Sequence, residues 1–152
     1  MDVNGLDAIT VRTGANFTYL AGIALPGTVA RHLDLANTVR RFMLVWPRKG
    51  EPVIVLDAFA EKVVARDSWV RKSLVYRAYV ESLYSRVAKA LADLVLGSAR
   101  VGFERDGLSA AHWHEIQTAL PKLQMIVCSR MMDEVRWVKP PVKLRCKRPS
   151  PI

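Results

Sequence analysis

Hydrophobic residues along the chain fall into short runs separated by longer stretches in which apolar residues recur at three- and four-residue steps. The short runs are rich in branched and aromatic residues, which is typical of β-strands that are buried on one or both faces. They predict six strands, at residues 6–11, 41–46, 52–56, 74–76, 100–104 and 123–127. Residues 47–51 contain Gly50 and are predicted to form a hairpin between the second and third strands.

Helices are predicted between most of these strands. The clearest helix covers residues 82–96, where Leu83, Val87 and Leu91 share one face, and Gly97 is predicted to cap its carboxyl end. The other helices are predicted at residues 16–20, 58–66, 109–120 and 129–135. Asp57 and Ser109 are suitable amino-terminal caps, and Gly22 is expected to end the first helix in a left-handed conformation.

Residues 23–38 have no clear period and include Pro26 and Gly27, which predicts a long loop before the second strand. Long loops in compact domains are often functional. The alternation of strands and helices predicts an α/β domain of three layers, in which a mixed, mostly parallel sheet of five to six strands is flanked by helices. Residues 1–139 are expected to form this domain, and residues 140–152 a basic, proline-rich tail that is disordered.

Composition and charge narrow the classes of protein to which the chain could belong. With 51% hydrophobic residues among 152, the chain is expected to fold as one globular domain. The net charge is +9, but residues 138–152 contribute +5, and the remaining 18 basic and 14 acidic residues leave only +4. A membrane span is not expected, because the longest window without charge, residues 13–30, is interrupted by glycine, proline, asparagine and threonine. Residues 1–7 lack a basic segment, and the two cysteines, Cys128 and Cys146, are too few for a disulfide framework, so a cytoplasmic location is expected.

Few residues suggest catalysis by this chain. His112 and His114 lie two positions apart on a predicted helix and therefore cannot chelate one metal ion together. Cys128 ends the last predicted strand and is interpreted as a small buried residue rather than a nucleophile. Glycine-rich phosphate loops and the Gly-x-Ser-x-Gly pattern of serine hydrolases do not occur. The residues alone therefore predict no catalytic group and no metal site.

Two binding functions stay open on the residues alone. One is a small basic module that contacts nucleic acid through Arg40, Arg41, Arg71, Lys72 and the tail. This hypothesis is weak, because the chain has no recognised nucleic-acid motif and its tail has no interleaved aromatic residues. The other is an α/β domain with a small-molecule site at the predicted loop, for which no convergent polar set can be named.

Four motifs, in a fixed order, suggest a family. They are Asn16-x-x-Tyr19-Leu-x-Gly22, Gly-Glu-Pro at residues 50–52, Val-Gly102-x-Glu104, and Leu-Pro at residues 120–121 followed by Asp133-x-x-Arg136-x-x-Lys139. In order and spacing they resemble the creatinase/prolidase N-terminal domain. This domain precedes the pita-bread catalytic domain of creatinases, Xaa-Pro dipeptidases and ectoine-hydrolase-like enzymes. The resemblance covers about residues 6–140 and implies a creatinase N-terminal-like fold of ribonuclease H-like topology.

The resemblance also implies a function. The chain would be the non-catalytic N-terminal domain of a metal-dependent Xaa-Pro dipeptidase or creatinase-type hydrolase, truncated before its catalytic domain. It would pair as a homodimer or contact the parent catalytic domain, and its loop at residues 23–39 would reach the substrate entrance of a neighbouring subunit. Arg40 or Arg41 would contact the carboxylate of a small-molecule or dipeptide substrate in the intact enzyme, with Arg31 and His32 as helpers. The divalent metal (Mn, Co or Zn) would lie in the missing domain.

Two departures from the family pattern stand at the ends of the chain. Family members carry a helix before the first strand, whereas this chain starts almost at that strand. After Lys139 the family continues into an acid-containing helix, whereas here the basic, proline-rich tail follows. The absence of the first helix is expected to leave one face of the sheet less covered.

Overall fold

The computed structural model describes residues 5–23, 42–104 and 108–137, apart from the side chains of Asp133 and Arg136. Six strands and five α-helices follow one another in these residues, and a single 3₁₀ turn, Ala58–Ala60, lies between the third strand and the second helix. The elements are β1 (Ala8–Arg12), α1 (Ala15–Ala21), β2 (Met43–Pro47), β3 (Val53–Asp57), α2 (Glu61–Asp67), β4 (Lys72–Tyr76), α3 (Leu83–Asp93), β5 (Arg100–Phe103), α4 (Ala110–Ala119), β6 (Gln124–Val127) and α5 (Ser129–Trp137).

The strands form one mixed sheet in the order β4-β3-β2-β1-β5-β6. Strand β2 runs antiparallel to both of its neighbours, and the other three pairings are parallel. The mixed, mostly parallel sheet predicted from the sequence is therefore confirmed. Five strands begin at one edge of the sheet, called the amino edge below, and end at the opposite carboxyl edge. Strand β2 begins at the carboxyl edge and ends at the amino edge.

Helices cover both faces of the sheet because the central strands are apolar on both sides. On β2, for example, Leu44 lies in one core and its neighbours Met43 and Val45 lie in the other. The first core contains residues of α1, α2 and α5, including Phe17, Val64 and Met132. The second core contains residues of α3 and α4, and the two faces are called the first and second face accordingly.

The predicted cap of α3 at Gly97 is wrong, and its backbone shows why. The helix begins after Ser82, whose hydroxyl accepts from the backbone N–H of Tyr84, but it ends at Asp93. Val95 takes the left-handed conformation with φ 60°, and the N–H groups of Val95 and Leu96 donate to the carbonyls of Ala92 and Leu91. This closing pattern places Leu96 against the second core, so the helix stops before the glycine.

The helix predicted at residues 58–66 is also shifted, since its first three residues form the 3₁₀ turn and α2 extends to Asp67. Its predicted cap is confirmed. The carboxylate of Asp57 accepts from the N–H of Phe59 at 3.0 Å and from that of Ala78, in the next connection, also at 3.0 Å. This buried side chain thereby joins the connections that follow β3 and β4.

Candidate functional site

Two residues of the sequence motifs meet at the carboxyl edge of the sheet. Glu104 follows the end of β5, and its carboxylate accepts from the backbone N–H of Arg12 at 2.7 Å and from the side-chain amide of Asn16. Asn16 lies in the first turn of α1, 88 positions from Glu104. Because α1 has no side-chain cap of its own, the carboxylate fastens the start of this helix to β1 and β5.

The side-chain amide of Asn16 has its hydrogen-bonding capacity only partly satisfied. The Oδ1 atom of Asn16 is buried and has no hydrogen-bond partner among the described residues. A buried carbonyl oxygen without a donor costs free energy, so the amide is held here by its donated bond to Glu104. The contact between Asn16 and Glu104 is therefore structural, and it depends on the charged carboxylate of Glu104.

Gly102 and Cys128 pack against each other beneath this junction. A Cβ atom on Gly102 would lie 2.9 Å from the Sγ atom of Cys128 and 3.0 Å from Cδ1 of Leu6, which leaves room for glycine alone. Burial raises the pKa of the Cys128 thiol to about 12, and the negative charge of Glu104 adds to this. The thiol is therefore protonated at neutral pH, which confirms the interpretation of Cys128 as a buried packing residue.

The carboxyl end of α1 is fixed by Gly22 and by two side chains from a distant part of the chain. Gly22 has φ 69° and donates to Thr18, which confirms the predicted left-handed stop. The hydroxyl of Ser68 donates to the carbonyl of Ala21 at 2.7 Å, and the indole N–H of Trp69 donates to that of Leu20 at 2.8 Å. Both donors lie about 48 positions from their acceptors, so no local pattern identifies them.

Thr13 forms a second junction, with the residue that precedes β2. Its backbone N–H and its hydroxyl both donate to the carbonyl of Phe42, at 3.0 and 2.9 Å. In return, the N–H of Phe42 donates to the Thr13 hydroxyl oxygen at 2.9 Å. The end of β1 and the start of β2 are thereby held together at the carboxyl edge.

The predicted substrate-entrance residues lie outside the described part of the chain. These are Arg31, His32, Arg40 and Arg41, together with the predicted loop beyond Ile23. Lys139, the tail and the side chain of Arg136 also lie outside it, and their roles stay predictions. Tyr19, from the first sequence motif, is described and is half-buried on α1.

Two of the three histidines, His112 and His114, lie on α4. His112 stacks on Tyr84 of α3 with a centroid distance of 3.9 Å, and its ring nitrogen bonds the hydroxyl of Ser109 at 2.9 Å. His114 is exposed on the same helix. Among residues 5–23, 42–104 and 108–137, no group of three or more His, Cys, Asp or Glu side chains is placed to hold a metal ion. The resemblance assigns the divalent metal to a separate catalytic domain, and the described residues offer no ligand set for it.

The two strands that follow the basic pairs of the nucleic-acid hypothesis begin at opposite edges of the sheet. Lys72 begins β4 at the amino edge, and its ammonium group lies 3.1 Å from the carboxylate of Glu51. Met43 begins β2 at the opposite edge, because β2 is antiparallel to β3 and β3 is parallel to β4. Arg40 and Arg41 themselves are not described. The tail is not described either, so the nucleic-acid hypothesis stays a prediction.

None of the helices within the described ranges is both long and apolar enough to cross a membrane.

Comparisons with known proteins agree with this fold. The profile of a family described as the creatinase/prolidase N-terminal domain matches residues 1–138. No curated protein sequence gives a significant match. Solved structures do match, at identities below 20% for the three described next, which shows a shared fold and nothing finer.

Two of these structures are named as enzymes. A proline dipeptidase from Streptococcus pneumoniae TIGR4 superposes with a TM-score of 0.69 and 17% identity, over 91% of this chain and 92% of that one. A recombinant prolidase from Thermococcus sibiricus gives a TM-score of 0.71 and 19% identity, over 95% of this chain and 36% of that one. The chain therefore spans about a third of the prolidase.

The third structure is of a domain by itself. It is the creatinase/prolidase N-terminal domain of an X-Pro dipeptidase from Streptococcus pyogenes, with a TM-score of 0.64 and 15% identity. The superposition covers 88% of this chain and 90% of that one. A unit of this size and fold has thus been crystallised separately.

Proposed function

We propose, since this chain belongs to the creatinase/prolidase N-terminal domain family, that it acts as the non-catalytic N-terminal domain of a metal-dependent Xaa-Pro dipeptidase or creatinase-type hydrolase. Its role is to pair subunits and to shape the entrance to an active site that a separate catalytic domain provides. The observation that carries the proposal is the family match over residues 1–138. The names of the proline dipeptidase and prolidase of similar fold favour the Xaa-Pro peptidase class.

In the intact enzyme, the catalytic domain holds the divalent metal, and this chain supplies a contact to the substrate. The guanidinium group of Arg40 or Arg41 pairs with the substrate carboxylate, because its planar fork of N–H donors matches the two carboxylate oxygens. Arg31 and His32 assist from the same segment. The contact is a positioning one, since the carboxylate itself takes no part in the bond cleavage.

The described fold supports this role by the way it holds both ends of the segment that carries these residues. Before the segment, Ile23 is buried and the end of α1 is bonded to Ser68 and Trp69. After it, Phe42 is buried and bonded to Thr13. The two attachment points are thereby fixed to the core, which is what a functional segment on a rigid scaffold requires.

Hydrolysis assays test the assignment of catalysis to another domain. The purified 152-residue chain is incubated with Xaa-Pro dipeptides, creatine and ectoine, each with added Mn²⁺ or Co²⁺. We expect no turnover above the buffer control. Metal-dependent turnover that co-purifies with the chain would overturn the proposal.

Two measurements test pairing and substrate contact. Sedimentation equilibrium is expected to give roughly twice the chain mass of 17.1 kDa, and a monomer at all micromolar concentrations would contradict the pairing role. Titration with a Xaa-Pro dipeptide, followed through the arginine side-chain NMR signals, is expected to shift one signal that disappears in Arg40→Gln or Arg41→Gln. Unchanged signals for both arginines would contradict the carboxylate contact.

A further inference from the structure

Strand β6 forms one side of the sheet and has a single neighbour. It stands last in the order β4-β3-β2-β1-β5-β6, and β5 runs parallel to it. The N–H groups of Gln124 and Cys128 donate to backbone carbonyls on the β5 side, at 3.0 and 2.9 Å. Since alternate residues of a strand direct their backbone groups to opposite sides, the N–H and C=O groups of Met125 and Val127 point away from the sheet. Within the described ranges, no backbone group outside the ladder bonds to them.

The side chains of β6 do not protect these backbone groups. Residues 123–129 contain no charged residue and no proline, which are the usual devices that keep a free strand from pairing with another chain. Met125 packs against the second core and Ile126 against the first, while Val127 is 53% exposed. The strand at the other side of the sheet differs, since β4 begins at the exposed Lys72. Strand β6 is therefore the one of the two outer strands that is suited to accept a further strand.

The handedness of strand crossovers argues against the chain's own continuation as that further strand. Strands β5 and β6 are joined by α4 on the second face, and β6 leads into α5 on the first face. If the chain after α5 formed a parallel strand beyond β6, this crossover would continue in the direction of the step from β5 to β6, with its helix on the opposite face. One of the two crossovers would then be left-handed, whereas nearly all such connections are right-handed. A strand that pairs with β6 therefore comes from another chain.

We propose that β6 pairs antiparallel with β6 of a second copy of the chain, so that two six-stranded sheets join into one continuous sheet. This inference rests on the pairing role in the proposed function and identifies the surface that pairs. A two-fold axis at Ile126 places Met125 of each copy opposite Val127 of the other copy. The outward N–H and C=O groups of each such pair then exchange two hydrogen bonds.

The match of β6 with itself favours a second copy over an unrelated strand. A two-fold interface requires one surface to be complementary to itself. Here Met125 faces Val127 on the second face, and Ile126 faces its own counterpart on the first, so the central cross-strand pairs are all apolar. Because residues 123–129 are uncharged, the net charge of +9 on each copy opposes pairing only from a distance. Salt screens such repulsion, so pairing is expected to strengthen as the NaCl concentration rises.

Sedimentation equilibrium of the full chain and of two lysine variants tests the proposal. Val127→Lys places a charge within the proposed strand pair, and Ser73→Lys places the same charge on β4 at the other side of the sheet. We expect Val127→Lys to raise the dimer dissociation constant about tenfold or more, and Ser73→Lys to change it by less than about twofold. Both residues are exposed in the single chain, so an unchanged circular dichroism spectrum and melting temperature show that the loss does not come from misfolding.

Cross-linking tests the alignment of the two strands. Ile126→Cys, in a Cys146→Ser background, places a thiol opposite its own counterpart in a pair that exchanges no hydrogen bonds. The Cα atoms of such a pair lie about 4.5 Å apart, a separation that a disulfide spans. We expect a covalent dimer under mild oxidation that a reducing agent separates. Val127→Cys in the same background is the matched control, because its thiol lies opposite Met125 and is expected to cross-link far less.

The outcomes separate this inference from the proposed function. A chain that is monomeric at all micromolar concentrations overturns the pairing role and this inference with it. A dimer that Val127→Lys does not weaken overturns the inference alone, since the chain then pairs through another surface. Equal weakening by Val127→Lys and Ser73→Lys also overturns it, because the effect then belongs to overall charge. Cross-linking of Val127→Cys that equals or exceeds that of Ile126→Cys overturns the proposed alignment.

Discussion

The two faces of the sheet are built in different ways. On the second face, α3 covers eleven residues and packs Leu83, Val87 and Leu91 into an apolar core. On the first face, α1 and α2 have seven residues each, and α1 is fastened at both ends by side chains from distant parts of the chain. Glu104 fastens its start, and Ser68 and Trp69 fasten its end.

This difference follows from helix length. A helix of two turns has too few internal hydrogen bonds to be stable by itself, so it depends on tertiary contacts. A helix of three turns with one apolar face gains enough from burying that face. The first face, with its polar junctions, also leads into the segment that carries the predicted substrate contacts.

The largest loss of stability is expected on the second face. Leu91 is fully buried in α3, and Leu91→Ala should lower the free energy of unfolding by about 2 to 5 kcal/mol through lost burial and a residual cavity. Urea denaturation measures this. Lys89→Ala, on the exposed side of the same helix, is the control and should change stability by less than about 0.5 kcal/mol. A loss below about 1 kcal/mol for Leu91→Ala would contradict an apolar origin of stability on this face.

On the first face, the junction at Glu104 should matter next. Glu104→Ala leaves the N–H of Arg12 and the amide of Asn16 without their acceptor, which should cost about 1 to 3 kcal/mol. Glu104→Gln keeps one acceptor oxygen and should recover part of this loss. A double-mutant cycle with Asn16→Ala should give a coupling of at least about 0.5 kcal/mol. Additive losses would show that the two side chains do not act together.

Sequence patterns predict much of this fold, because its central strands are apolar on both faces and its turns carry glycine or a capping side chain. The period of Leu83, Val87 and Leu91 is a local signal, and so are the caps at Asp57 and Ser109. The closure of α3 at Val95 has no such local signal. A left-handed valine is disfavoured, and here this conformation is imposed by the burial of Leu96.

The junctions of the first face could be predicted only in part. The motif resemblance singled out Asn16, Gly22, Gly102 and Glu104, but it did not indicate that Asn16 and Glu104 contact each other. Ser68, Trp69 and Thr13 had no signal at all, because a hydrogen bond to a distant carbonyl leaves no periodic trace in the sequence. The proposed contact of Arg40 or Arg41 with a substrate carboxylate rests on the family resemblance, because both residues lie outside the described part of the chain.

Gly102 gives a smaller and more specific test of the first face. Gly102→Ala should cost about 1 to 2 kcal/mol, because its Cβ atom would lie 2.9 Å from the Sγ atom of Cys128. Cys128→Ala removes that sulfur, so the double variant should lose less than the sum of the two single variants. Thermal unfolding of the three variants measures this. A fully additive result would show that the clash lies with Leu6 or with the Cβ atom of Cys128, which alanine retains.

The smallest expected effect has the opposite sign and lies at the end of α3. Val95 is 90% exposed and has φ 60°, so Val95→Gly removes strain without removing a buried contact. It should raise the free energy of unfolding by about 1 kcal/mol, since glycine adopts this conformation without steric cost. Val80→Gly is the matched control: Val80 is 79% exposed and is not left-handed, so its replacement should be neutral or destabilising. If Val95→Gly is destabilising as well, then the second face depends on the valine side chain after its helix, and its stability is not set by the periodic residues of α3 alone.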